Sequence, residues 1–275
     1  MTHIKRWIPA RLWHAAADGY RRIRQSDLIR DQLPAVVSYR THERLVALTF
    51  DDGPHPSGTP GVLEVLARHG VHATFFVVGR NVEAHPGLAR AIVAAGHALG
   101  NHTQTHPSLR RCSARESWRQ LRQCQESIRR LTGENPNIMR PPYGAQNVRS
   151  FLVARLLGFR TIHWSTTGGD YQGEDARTVA ERIVRHTAPG SVILLHDNLE
   201  PPRHQDRWLE GQESLWDRSA TIEALDSIIV ALRRDGYRFV TLPELMAASS
   251  PNVQRRFRSV TTTVASLVSA VLQSI

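Results

Sequence analysis

Residues 48–60 read LTFDDGPHPSGTP, with Asp51 and Asp52 side by side between an apolar run and Gly53-Pro54. Adjacent carboxylates at the end of a buried segment repel each other, and a bound cation removes much of that repulsion. Two acids so placed can divide the work: one holds a divalent ion, and the other takes a proton from water. The segment GNHTQTHPSL puts His102 and His106 four residues apart, so that on a helical turn both imidazoles face one way. Two histidines and one carboxylate, with positions left for water, make a catalytic metal site. Each feature alone has a plainer reading. Asp-Gly is a common turn pair, and fourteen histidines are spread along the chain.

Two further segments add chemistry. In RPPYG, Arg140 can pair bidentately with a carboxylate. Pro141 and Pro142 carry no N–H, so the first free amide belongs to Tyr143, a donor that could face an oxyanion. The alternative is a structural arginine beside a proline-stiffened loop. In SVILLHDN, His196 ends an apolar run and is placed to act as a general acid near neutral pH. Asp170 of WSTTGGDY could hold the other imidazole nitrogen of His196, or be a loop acid following Gly168-Gly169.

The elements that must position these residues follow from apolar patterning. Strands are expected over 45–50, 73–79, 137–140, 159–165, 191–197 and 237–242, with a short one at ALGNH, 98–102. Helices are expected over 61–70, 85–97, 114–132, 147–157, 175–190 and 217–235, several of them stopped by glycine. Strands alternating with helices predict an α/β fold with a parallel sheet, and about seven units suit a barrel-like closure better than a small open sheet. The candidate residues Asp51-Asp52, His102, Arg140, Asp170 and His196-Asp197 all come just after strands. In a parallel barrel these ends meet at one mouth.

The organisation is read as an arginine-rich, partly helical extension at 1–42, a catalytic domain at 43–248 and an amphipathic helical tail at 249–275. With 275 residues, 41% hydrophobic, the chain can bury a sizeable core, which excludes global disorder. A net charge of +10 allows an anionic partner or simply a basic surface. No basic run is interleaved with aromatics, so no nucleic acid partner is expected. Cys112 and Cys124, twelve residues apart in one expected helix, are not expected to pair. There is no signal-peptide pattern and no run of 18 apolar residues, and a cytoplasmic location is the expectation. The tail, with Arg255, Arg256 and Arg258 before it, is expected to pack on the protein itself, with weak membrane-surface contact as the alternative.

Together these segments resemble the polysaccharide deacetylases of carbohydrate esterase family 4, the NodB homology domain. TFDDGP (49–54), HTQTH (102–106), RPPYG (140–144), GGDY (168–171) and ILLHDN (193–198) look like the family's five motifs in order, across about residues 44–246. Thr167 stands where the family often has a further Asp. The resemblance implies a distorted (β/α) barrel that removes acetyl groups from N-acetylglucosamine units. In that reading Asp51 is the general base, and Asp52, His102 and His106 hold Zn2+, with Co2+, Mn2+ or Ni2+ as alternatives. Arg140 orients Asp51, the Tyr143 amide completes an oxyanion hole, His196 protonates the leaving amine and Asp170 tunes His196. The implied partner is an N-acetylglucosamine-containing carbohydrate, a chitooligosaccharide or glycan precursor first. Alternatives are peptidoglycan, an O-acetylated xylan, or glycan binding without catalysis. Tyr171, Trp208 and Trp216 are candidates to stack on sugar rings, Trp164 is expected in the core, and the charged stretch 199–218 is a candidate lid.

Overall fold

The computed structural model describes residues 38–199 and 217–248. Residues 200–216 of the candidate lid, with Trp208 and Trp216, and the terminal segments 1–37 and 249–275 lie outside the described residues. Eight parallel strands form one curled sheet. Strand β1 (Leu45–Asp51) is central, flanked by β2 (Thr74–Val77) and β7 (Val192–His196). Beyond β2 come β3 (Ala98–Asn101), β4 (Ile138–Met139) and β5 (Arg160–Thr161); beyond β7 comes β6 (Thr166–Thr167). Strand β8 (Arg238–Phe239) pairs with the start of β1. The expected parallel (β/α) architecture is present as a curled half-barrel.

Helices α1 (Thr59–His69), α2 (Gly79–Ala84), α3 (Pro86–Ala94), α4 (Ala114–Thr132), α5 (Val148–Leu156), α6 (Ala176–His186), α7 (Ser219–Arg234) and α8 (Leu242–Ala248) connect or follow the strands. Local chemistry sets their ends. Ser113 caps α4, accepting from the Glu116 amide, and Gly133 ends it in the left-handed region. Asn147 and Ser150 form a reciprocal cap on α5, and Asp175 caps α6.

The two-residue period of β1 divides its side chains between two jobs. Val46, Leu48 and Phe50 enter the main core with Val62, Leu66, Ile183, Leu225 and Ile228 of the surrounding helices. Leu45 and Ala47 turn to a smaller core inside the curl, with Tyr39, Phe76, Ile162, Val192, Leu242 and Leu245. Thr49 and Asp51 continue that inward row. The curl is therefore plugged by apolar groups at the strand starts and carries polar groups at the strand ends.

Several expectations need correction. The helix expected at 85–97 is present as α3, Pro86–Ala94, but the helix α2 that precedes it from Gly79 was not expected. Residues 159–165 contain only the two-residue β5, and β6 forms separately at 166–167. Residues 237–242 give the two-residue β8 and then α8. Cys112 precedes α4, while Cys124 lies within it, and both are free thiols. The fold also starts before residue 43, since Ser38 bridges Ser191 and Tyr39 is buried, its amide bonded to Gly190 O at 2.9 Å.

Candidate active site

The strand register gathers the expected residues at one rim. Asp51 lies level with His196 across β1–β7. Asn101 is level with Met139 across β3–β4, so His102 and Arg140 follow side by side. His102 Nε2 and His106 Nε2 stand 3.2 and 3.1 Å from Asp52 Oδ1. All three side chains are buried, and their donor atoms lie within 4.8 Å of one another.

The two histidines are not on a helical turn. They sit in an irregular loop in which Thr103 (φ 70) and His106 (φ 56) have left-handed backbone, and that strain turns both rings to one point. The loop is pinned on every side. The Gly79 and Arg80 amides donate to Thr103 O and Gln104 O at 3.0 and 2.9 Å. The Thr105 amide donates to Gln120 Oε1 of α4 at 2.9 Å, and Asn101 Oδ1 receives the Thr103 amide at 2.9 Å. A side chain at position 79 would displace the Gln104 amide and press on the Cys124 backbone, its Cβ 2.9 Å from Cys124 Cα, so glycine suits this close approach. Among the described residues four non-glycine positions have positive φ: Asp52, Thr103, His106 and Tyr143. All belong to this site. Such conformations cost on the order of 1–3 kcal/mol each and persist where surrounding structure holds them.

The protonation pattern suits a cation. His102 Nδ1 lies 2.8 Å from Arg140 O, a carbonyl that only accepts, so Nδ1 carries a proton and Nε2 is the nitrogen turned to Asp52. Burial holds His106 below its ordinary pKa despite the pull of Asp52, which favours its neutral, metal-ligating form. Burial pushes the Asp52 carboxyl up, but the His106 and His102 contacts outweigh it and hold it well below the usual carboxylate range. A buried carboxylate oxygen and two imidazole nitrogens converging on one point are a donor set that a divalent cation complements. The residues fit the ion that the sequence resemblance implies.

Asp51 stands beside this cluster, Oδ2 3.9 Å from His102 Nε2. Its Oδ1 receives Arg140 Nη1 at 2.7 Å. Arg140 is wholly buried and fully engaged: it also donates to Thr49 Oγ1 at 2.8 Å and His163 O at 2.9 Å, and its guanidinium lies 4.2 Å over the Phe76 ring. On the other side, His196 Nδ1 is 3.0 Å from Asp170 Oδ1, while the His196 amide donates to Asp170 Oδ2 at 2.8 Å. Burial opposes charge on His196, but Asp170, with Asp52 and Asp51 further off, raises its pKa to about 9. Thr221 Oγ1 and the Arg218 guanidinium bind Asp170 from behind, at 3.2 and 3.3 Å. Tyr143 has φ 59 and ψ 16 in a tight turn closed by Gly144 N–H to Pro141 O at 3.0 Å. Its ring edge packs 4.7 Å from His106, and Tyr171 packs 5.4 Å from His196; both tyrosines are exposed at the mouth. Trp164 packs on the inner core, as expected.

Two residues here were not singled out from the sequence, and a third, Asp197, was noted only for following a strand. Asn81 and Asn198 donate to the Asp52 carbonyl at 2.7 and 3.3 Å and hold its strained backbone. Asp197, fully buried, accepts from the Gly53 amide at 3.2 Å and from Thr59 Oγ1 at 2.6 Å, tying the loop after Asp52 to β7. Burial raises its carboxyl to about 7. Its place directly after His196 was the only available signal.

Known proteins resemble this chain in sequence and in fold. A sequence profile of the polysaccharide deacetylases matches residues 38–162. The peptidoglycan-N-acetylglucosamine deacetylase PgdA of Listeria monocytogenes is 36% identical over 78% of this chain, which spans only 41% of that protein. A chitooligosaccharide deacetylase of a Bradyrhizobium species is 37% identical over 74% of this chain and 90% of its own length. The crystal structure of the Bc1960 peptidoglycan N-acetylglucosamine deacetylase superposes with a TM-score of 0.69 at 35% identity, covering 77% of this chain and 92% of that one. A family 4 pseudoenzyme from Bacillus anthracis superposes with a TM-score of 0.67 at 28% identity, covering 78% and 70%.

Proposed function

The chain belongs to the polysaccharide deacetylase family, and from that premise we propose that it is a metal-dependent hydrolase of N-acetylglucosamine-containing oligo- or polysaccharides that releases acetate. The observation that carries this reading is the convergence of Asp52, His102 and His106 beside an Asp51 locked by Arg140. These three would hold the divalent ion, zinc first, with cobalt, manganese or nickel suited to the same donors. Such an ion supplies Lewis acidity to an acetamide carbonyl and to water.

The chain's own groups do the rest. Asp51 takes a proton as water adds to the carbonyl carbon, and Arg140 keeps its carboxylate from turning away. The Tyr143 amide, in its fixed turn, donates to the oxyanion. His196 hands its proton to the sugar nitrogen as the C–N bond breaks, leaving acetate and a free amine. Because Nδ1 of His196 faces Asp170, Nε2 is the nitrogen that delivers the proton, and the raised pKa keeps it charged at neutral pH.

A chitooligosaccharide or glycan precursor is the substrate we favour, with peptidoglycan and acetylated xylan as alternatives. Acetate release from chitooligosaccharides, peptidoglycan and acetylxylan, measured side by side, tests the choice. Chitooligosaccharide is expected to react fastest, and release from acetylxylan alone would contradict amide hydrolysis. A second reading, glycan binding without catalysis, draws support from the likeness to a pseudoenzyme. Acetate release that is lost in Asp51→Asn would exclude it.

A further inference from the structure

Among the described residues the positive charge is concentrated on one flank. Residues 107–169 hold eleven arginines and three glutamates, a formal +8. Residues 170–199 and 217–248 together hold seven arginines against ten acids. Of the eleven, Arg140 is buried on Asp51, Arg155 is half-buried and the other nine are exposed. The basic flank is thus α4, α5 and the loops before them, while the α6–α7 flank is net acidic.

On α4, Arg115, Trp118 and Arg122 recur at helical spacing on the face away from Leu121, Cys124 and Ile128, which pack inward. Arg110 and Arg111 extend the row toward the mouth. They lie on the turn shortly after His106, and Asn147 Nδ2 holds that turn by donating to Leu109 O and Arg110 O at 3.1 and 2.8 Å. The two glutamates of α4 are already taken, Glu116 by Arg119 at 2.7 Å and Glu126 by Arg129 at 2.8 Å. Arg110, Arg111, Arg115 and Arg122 make no ion pair with a described residue. Trp118, 44% exposed, lies among them. The 19 residues of α4 extend about 28 Å.

A line of unpaired guanidinium forks suits carboxylates arranged along an extended polymer. A membrane surface calls for a broad apolar face, and a nucleic acid for several interleaved aromatics, whereas this stripe offers one exposed indole. We propose that the outer face of α4 is a docking surface for an acidic glycan strand, one bearing uronate carboxylates, which leads from the active-site mouth across the basic flank. The inference rests on the proposed function only in taking the polymer to be a glycan.

Binding, rather than turnover, tests it. The full chain is titrated calorimetrically with hyaluronan oligosaccharides, in which N-acetylglucosamine alternates with glucuronate, and with neutral chitopentaose. Hyaluronan is expected to bind at least about tenfold tighter, and the difference should shrink as salt screens the contacts. Joint Arg110→Ser, Arg111→Ser, Arg115→Ser and Arg122→Ser should weaken hyaluronan binding by at least about tenfold, summing several exposed charge contacts. Trp118→Ala should weaken it severalfold, and Arg185→Ser on the opposite flank should leave it unchanged. Far-ultraviolet circular dichroism verifies that each variant folds; if the fourfold variant does not, the salt dependence and Trp118→Ala decide. The inference is overturned if the fourfold variant binds as wild type does. It is equally overturned if phosphatidylserine vesicles or single-stranded DNA bind as tightly as hyaluronan. Failure of every glycan to release acetate would contradict the proposed function while leaving this binding result intact.

Discussion

Replacing Asp170 with asparagine removes one negative charge while keeping the shape of the side chain and one acceptor oxygen. Asp170 is buried, receives both the amide and Nδ1 of His196, and is the largest influence holding that imidazole charged against burial. The rise from the ordinary 6.5 to about 9 corresponds to roughly 3 kcal/mol favouring imidazolium, at 1.36 kcal/mol per unit. His196 is only slightly exposed, so solvent screening removes little of this. Without the carboxylate, burial acts almost unopposed, because Asp52 and Asp51 are weaker influences. The variant imidazole should then titrate below 6.5. The stability consequence has a definite sign. A histidine whose folded pKa is raised contributes stability that is fully present below about 6.5 and is lost as pH rises through about 9. The metal-free wild type should therefore lose up to about 3 kcal/mol across that window relative to Asp170→Asn. Histidine ring resonances followed by NMR give the two pKa values directly, and urea unfolding at pH 6 and pH 9 gives the stability difference. A variant imidazole that still titrates above 8 would refute the assignment of the shift to Asp170.

Arg140→Met should strip the buried Asp51 of its partner and cost about 3–5 kcal/mol in urea unfolding, with Asp51→Asn in the same chain restoring part of the loss. Phe50→Ala, emptying a wholly buried position stacked on Phe75, should cost about 3–5 kcal/mol while the metal affinity persists. Gly190→Ala should cost more than about 1 kcal/mol, since φ is +82 and the new methyl would press on Tyr39 O; an unchanged urea midpoint would contradict this. Saturating zinc should raise wild-type stability by about 2.7 kcal/mol at a hundredfold excess over Kd, and Asp52→Ala should abolish that gain in a thermal scan.

The long elements and the site could be read from sequence because each left a periodic or chemical trace. The β1 segment is apolar on both faces, α4 has a serine cap and a glycine stop, and the acids, histidines and Arg140 all follow strand ends. The two-residue strands β4, β5 and β8 fell inside longer expected strands and β6 was not expected at all, since their extent is set by neighbouring ladders rather than by side-chain alternation. Helix α2 is only six residues long and begins at a glycine, which reads as a stop. The His102–His106 spacing pointed to the correct partners through the wrong local structure: the loop reaches the same convergence with two left-handed residues. The roles of Asp197, Asn81 and Asn198 depend on burial and on contacts from distant strands, which one sequence does not display.

The most direct test of the account is acetate release from chitopentaose by zinc-loaded wild type, Asp51→Asn and His106→Ala, with bound zinc measured in the same samples. The account requires one zinc per chain and acetate from wild type, zinc without acetate from Asp51→Asn, and neither from His106→Ala. Acetate release by Asp51→Asn at the wild-type rate, or full zinc retention by His106→Ala, would contradict it.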